Sequence, residues 1–433
     1  MQIHRLVPGI MTAVLGACLA SAQTAGSAAE KQTEQRIEQV TSCLPPPVLI
    51  RDEPKTCTPL AQRMTELHIP GVSIAVVHNG RIEWARGFGV RQAGGEKVTP
   101  ETLFQAGSIS KPLAAMGALH LVQDGKLSLD GDINASLTSW KLPPSAAARN
   151  AVVTLRELLT HTAGISVHGF PGYAAGTPVP TLVQVLNGEP PANTAPIRVN
   201  TMPGKEWRYS GGGYTIMQQM VLDTVKEPFP KFLHDTVLAP IGMDHSTYEQ
   251  PLSAALLPDA AMPYRGDGKP VAGGPHTYPE MAAAGLWTTP SDLCRYILEV
   301  QNSLAGHGNH VLSQTMTQQM LTPGKGNWGL GLEIGGTAPD MWFSHGGVNE
   351  GYESLFVGFD KNGDGAAVMT NSQGGMRLAN QVMSAIAIAY DWPRWQPPVR
   401  ARVNYVLVIF VLVVGVCLGI FGLYVGLKLS HSS

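Results

Sequence analysis

The chain has 433 residues, a formal net charge of −2, 44% hydrophobic residues and 14% charged residues. That length is enough to bury a sizeable core, and a near-neutral balance with no basic stretch excludes the electrostatic footprint of a nucleic-acid binder. Its 48 glycines and 33 prolines, set among apolar runs that continue throughout, point to long ordered loops.

Residues 1–22 carry His4 and Arg5, an apolar run through Leu19, then Ala20-Ser21-Ala22. This is the pattern of a secretory signal peptide cut before Gln23. An alternative takes Leu15-Gly16-Ala17-Cys18 as a lipoprotein cleavage box, although the apolar stretch before Cys18 is short. Residues 23–58 turn from polar to Pro-rich and read as an N-terminal arm or linker. In an exported chain Cys43 and Cys57 are free to pair, and closing that loop stabilises by about 3 kcal/mol. Cys294 lies in a helical pattern and reads as a core thiol. No spacing suggests zinc.

The main domain is expected over 59–392. Gly71 to Val77 and Arg81 to Ala85 flank His78-Asn79-Gly80, and Asn-Gly between two β-rich runs predicts a tight hairpin. Helical patterns follow at Ser110 to Asp124, Leu155 to His161, Thr215 to Lys226, Phe232 to Leu238 and Pro290 to Asn302. Residues 166–207 read as a long surface excursion. A second hairpin is expected from Tyr352 to Phe359 and Ala366 to Thr370, then a closing helix from Gln373 to Tyr390. Strands at both sequence ends with helices between predict an α+β fold. It would be one antiparallel β-sheet flanked by helices, with an inserted mostly helical subdomain.

A linker over 393–402 leads to an apolar segment, 403–428, predicted to be a transmembrane helix. Within it, Tyr405 to Leu427 is 23 residues without a charge. Tyr405 and Tyr424 near its ends, and Gly415, Gly419 and Gly422 within it, suit a lipid-facing helix. Arg394, Arg400 and Arg402 on the expected outer side run against the positive-inside rule. The leader decides the orientation, since it commits the domain to export first. The expected location is therefore the cell membrane, with the domain outside the cytoplasm. The three glycines leave self-association and oligomeric state open.

Ser108-Ile109-Ser110-Lys111 is the one Ser-x-x-Lys of the chain. Positions i and i+3 share a helix face, so this spacing sets an amine beside a hydroxyl that is a weak nucleophile without a base. A helix starting near Ser108 would also direct free N–H groups toward a developing oxyanion. Pro112 fits such a start, being tolerated in a first turn. Alone, the pattern is better explained by a capping serine and an exposed lysine.

The surrounding segment, Phe104-Gln105-Ala106-Gly107-Ser108-Ile109-Ser110-Lys111-Pro112, resembles the nucleophile segment of the serine β-lactamase and penicillin-binding-protein superfamily, in its class C-like branch. Further landmarks follow in that family's order. They are Leu121 to Asp130, Thr154 to Ile165, Pro203-Gly204, Tyr209 to Tyr214, Leu238 to Met243, Ala284 to Thr289 and His345-Gly346-Gly347. The resemblance covers about residues 60–390. It implies Ser108 as nucleophile, with Lys111 and Tyr209 moving protons, the proton affinity of Tyr209 being lowered by Lys111. It also implies that the Ser108 and Val348 amides hold an oxyanion. Gly211 stands where the family has asparagine, so the amide that grips an acylamide carbonyl is missing, and Gly211 to Gly213 are expected to leave an open backbone. His345 stands where the family has lysine and is charged only part of the time near neutral pH. Gly346 and Gly347 would let a substrate approach the strand closely.

Other signals carry less. Asp360 to Gly365 imitates a calcium loop, but its twelfth position is Asn371, and a hairpin turn explains it better. His161 reads as ordering a helix end near the site; His168 and His276 are loop histidines with no nameable partner. No Gly-x-Ser-x-Gly elbow is present. The resulting expectation is acyl transfer without metal or cofactor, on a small-molecule or peptide substrate: an ester, a D-amino-acid peptide or a β-lactam. The missing asparagine favours the first two. The rival is a catalytically idle domain that binds cell-wall peptide or a partner, which has no physical need for Ser108, Lys111 and Tyr209 together.

Overall fold

A computed structural model describes residues 28–51, 56–360, 363–392, 395, 398–400 and 419. The expected leader and nearly all of the expected membrane segment 403–428 lie outside them. Among the described residues no helix is long and apolar enough to cross a membrane. Among the described residues, 45–51, 56–57, 398–400 and 419 group as a unit of their own, with a short parallel pairing of Leu49–Ile50 and Val399–Arg400. The rest forms the main unit.

Asn79 and Gly80 take φ values of 53° and 73°, which a two-residue turn matched to strand twist requires. They join β1 (Gly71–His78) to β2 (Arg81–Gly89). Four later strands complete the sheet: β3 (Glu333–Gly335), β4 (Trp342–Asn349), β5 (Tyr352–Phe359) and β6 (Gly365–Thr370). Their spatial order is β2-β1-β6-β5-β4-β3, antiparallel throughout. β1 therefore pairs with β6, joining the two sequence ends as the strand pattern predicted. Both strands are buried along nearly their whole length, so they read as continuous apolar runs without alternation.

Four longer helices organise the remainder: α1 (Ser110–Gln123), α2 (Gly211–Val225), α3 (Pro290–Ala305) and α4 (Gly375–Ala389). Local chemistry sets α3 sharply. The Thr289 hydroxyl accepts from the Asp292 N–H, Pro290 opens the helix, and Gly306 at φ 80° ends it. α3 packs against β1, β5 and β6, and α4 packs against β5 and β6. The sheet thus separates two apolar clusters. One holds α1, α2, α3 and the helical region; the other holds α4 and the helix Leu60–Glu66.

Two expected helix starts are corrected, and the arm over 23–58 takes a structure that the sequence did not show. The arm over 23–58 is not a bare linker: residues 28–42 are helical and bury Ile37 and Val40 in the second cluster. Cys43 and Cys57 are both disulfide-bonded, and Cys294 is free and buried. α2 starts at Gly211, four residues before the predicted start at Thr215. The Ser210 hydroxyl accepts from the Gly213 N–H, and this cap carries the helix through three weak helix formers. The helix expected from Phe232 is instead Phe229–Leu233, followed by a wider turn over His234–Leu238.

Candidate active site

The nucleophile segment is a short 3₁₀ turn, Gly107–Ile109, leading directly into α1. Gly107 has a φ of 53°, and a side chain there would lie 2.5 Å from the Val348 nitrogen. Only glycine lets this turn approach β4 so closely. Ser110 braces the same segment: its hydroxyl donates to the Gly107 carbonyl at 2.6 Å and accepts from the Leu286 N–H at 2.9 Å. Ser354 of β5 donates to the Ala106 carbonyl at 3.0 Å.

α1 is buried on nearly every side, so Lys111 enters the interior with only 2% of its surface exposed. Its Nζ donates to Ser108 Oγ at 3.0 Å and to the Ala283 carbonyl at 2.8 Å. Among the described residues no carboxylate pairs with it. Burial alone pulls its pKa down to about 7, so the free amine is accessible near neutrality. The Tyr209 phenol hydrogen-bonds to Ser108, and Lys111 Nζ lies 5.0 Å from the Tyr209 ring centre. Burial pushes Tyr209 well above its ordinary value, which corrects the expectation that Lys111 lowers its proton affinity. At neutral pH the phenol keeps its proton, and Lys111 is the better base.

His345 of β4 is also buried. Desolvation and the nearby Lys111 hold it down at about 3, so it is neutral rather than partly charged. Its Nδ1–H donates to the Gly346 carbonyl at 2.6 Å, which leaves Nε2 as a bare acceptor. His161, at φ 58°, lies 4.2 Å from the Tyr209 ring centre and accepts from the Ser210 N–H through Nδ1 at 3.2 Å. It positions the start of α2, as its place in the sequence suggested.

A cleft of about 540 Å³ brings Ser108, Lys111, Tyr209, His345, Gly346 and Val348 together. Val348 is 57% exposed on the part of β4 that β3 leaves unpaired. Gly347 and Gly211 do not line this cleft. A side chain on Gly347 would sit 1.8 Å from the Ala106 carbonyl oxygen, so this glycine seats β4 against the nucleophile turn. A side chain on Gly211 would meet the Phe170 ring at 2.9 Å, and one on Gly212 the Ser166 carbonyl at 2.5 Å. These glycines are packed, not open.

The structure adds residues that no motif marked. His168, Phe170, Trp207, Trp328 and Asn349 all line the cleft. His168 lies 5.0 Å from the Tyr209 ring centre, and Trp207 and Trp328 lie 5.6 Å apart. They come from segments far apart in sequence or reach the site from loops, where hydrophobic periodicity carries no signal. Asp364 of the calcium-like turn is engaged with His78 Nδ1 at 2.8 Å and the Asn79 N–H at 3.2 Å. His276 reaches only the Pro171 carbonyl, at 3.0 Å.

The antiparallel sheet, the two packed clusters and a Ser-x-x-Lys turn set against β4 define a β-lactamase/transpeptidase-like protein. The model of the Beta-lactamase family matches residues 60–390, and the chain belongs to that family. It is similar to a putative penicillin-binding protein PbpX of Bacillus subtilis, 25% identical over 74% of this chain and 75% of that one. It is 26% identical to Protein flp of Staphylococcus aureus over 42% of this chain, and the match spans only 36% of that relative's length. Among solved structures, the fold is similar to an octameric penicillin-binding protein homologue from Pyrococcus abyssi. Its TM-score is 0.64 and its identity 24%, over 78% of this chain and 76% of that one. It is also similar to a D-amino acid amidase from Ochrobactrum anthropi, with TM-score 0.60 and 20% identity over 77% and 96%.

Proposed function

We propose that the chain is a serine hydrolase working through an acyl-enzyme, with an ester or a D-amino-acid peptide as substrate. The observation that carries this reading is the 3.0 Å contact of Ser108 Oγ with a buried lysine whose pKa lies at about 7. Ser108 Oγ attacks the substrate carbonyl while its proton passes to the free amine of Lys111. The Ser108 and Val348 amides face the oxyanion. Tyr209, protonated and bonded to Ser108, relays a proton to the leaving group as the tetrahedral intermediate collapses. Water then attacks the ester of Ser108, gives up a proton to the same pair and releases the acid. Family membership supports hydrolase chemistry, and the lack of an asparagine at Gly211 favours esters and amides over β-lactams. The same reading keeps the domain outside the cytoplasm, tethered by 403–428.

Intact-mass labelling with a fluorophosphonate, and separately with a penicillin, tests it. We expect a stoichiometric fluorophosphonate adduct that Ser108→Ala abolishes, and little or no penicillin adduct. A folded protein that takes neither label would leave an idle binding domain as the better account.

A further inference from the structure

β4 lines the cleft with two buried acceptors that no described residue satisfies. His345 Nε2 is bare because Nδ1–H is committed to the Gly346 carbonyl. Asn349 Oδ1 is bare because its Nδ2 donates to the Ala284 carbonyl at 3.0 Å and to Gln105 Oε1 at 2.8 Å. The Ala284 carbonyl accepts only, so it fixes which end of the Asn349 amide is which. Both residues are at least nine-tenths buried and both line the cleft. A buried acceptor without a donor is unfavourable, so the site favours an occupant that supplies N–H or O–H.

The charge inventory leads the same way. Lys111 is the one Lys, Arg, Asp or Glu among the residues lining the cleft, and its Nζ is committed to Ser108 and Ala283. A substrate carboxylate would face two acceptors and no free cation. An ammonium would meet no carboxylate. Trp328 lies 5.4 Å from the His345 ring centre and 5.6 Å from Trp207, which is 37% exposed. Flat apolar walls of this kind accept an aryl or bulky alkyl group.

We propose that the cleft selects uncharged, N–H-bearing acyl compounds with an aromatic or bulky apolar group, and rejects substrates that carry a free carboxylate. Separate substrate N–H groups meet His345 Nε2 and Asn349 Oδ1, which lie four residues apart on β4, and the apolar group lies against Trp207 and Trp328. This rests on the reading of the cleft as the acyl-transfer site, and it names the substrate class of that site.

Binding to the Ser108→Ala protein tests it without turnover. Calorimetry at pH 8 compares phenylacetylglycinamide with phenylacetylglycine, its carboxylate counterpart, and with an aminoethyl amide of phenylacetic acid as the ammonium counterpart. The neutral amide should bind at least about tenfold more tightly than either. His345→Lys should bring the carboxylate level with the amide or ahead of it. Trp207→Ala, at an exposed position that leaves folding intact, should weaken the phenylacetyl amide about tenfold and leave acetylglycinamide unchanged. Equal or tighter binding of the carboxylate or the ammonium, or no binding of the neutral amide, overturns the proposal. Fluorophosphonate labelling of the parent protein separates the two readings. Labelling with failed selectivity sinks only the substrate class, and selective binding with no labelling sinks only the acyl-enzyme.

Discussion

Lys111 shows how much a single burial decides. An exposed lysine is fully charged at neutral pH and is no base; in α1, surrounded by apolar neighbours, it titrates at about 7. The base form is the free amine, so activity belongs above that pKa and is lost below it. We expect kcat/KM to rise about tenfold per pH unit on the acid side and to level off above about pH 8, a profile measurable with any turned-over ester. His345 titrates near 3 and stays neutral across that window, so it adds no second limb. Lys111→Arg cannot deprotonate, and should lower kcat/KM by about a hundredfold or more with the pH limb gone. At Gly347 the decisive quantity is space. An alanine there collides with the Ala106 backbone, so Gly347→Ala should cost about 1–3 kcal/mol in urea unfolding and slow fluorophosphonate labelling of Ser108. Gly346→Ala meets the flexible end of Met376 at 3.3 Å and the Ser354 carbonyl at an ordinary 3.7 Å, and should cost less.

Elements position these residues through their ends. Tyr209 precedes the cap of α2, and the Ser210 hydroxyl both accepts from the Gly213 N–H and donates to the Ser166 carbonyl at 2.9 Å. That one side chain ties the helix start to the loop beside the cleft. Ser210→Ala should therefore cost about 1 kcal/mol of stability. It should also slow labelling of Ser108 while leaving the acid-side pKa in place, because Lys111 is held from α1. Pro112 lies in the first turn of α1, where its missing N–H has no intrahelical partner to lose. β4 supplies the facing wall because β3 covers only Trp342 to Ser344, leaving Gly346 to Asn349 free toward the nucleophile turn.

At the scale of the whole molecule, both faces of the sheet are covered, and α4 is the late segment that seals one of them. Leu378, Val382, Met383 and Ile386 are fully buried there, against Val72 and Ile74 from β1 and residues of β5 and β6. Ile386→Ala, far from the cleft, should cost about 2–5 kcal/mol in chemical denaturation, with the labelling rate of the folded fraction unchanged. A loss of labelling matched to a loss of folded protein is the expected signature. Tyr390 extends the seal: its hydroxyl accepts from Trp84 Nε1 at 2.8 Å and bonds Glu83, which pairs with Arg36 at 2.9 Å. The residues 28–42 are fastened to β2 by this network, which is why this polar stretch joins the main unit.

Local chemistry was enough to read much of this from the chain. The Asn79-Gly80 turn, the capped α3, the β5–β6 hairpin and the Ser108–Lys111 spacing depend on neighbours within a few residues, and each stands where its pattern placed it. The order of landmarks from 60 to 390 likewise identified the family. What lay beyond reach depends on residues far apart in sequence. The pKa of Lys111 is set by apolar neighbours from several elements, and the tautomer of His345 by a strand geometry no pattern encodes. Gly211 and Gly347 looked like openings because a sequence shows an absent side chain but not the backbone that fills its place. Trp207, Trp328 and Asn349 meet only when the sheet and the helical region close together, so the shape and hydrogen-bonding character of the cleft were decided by tertiary packing alone.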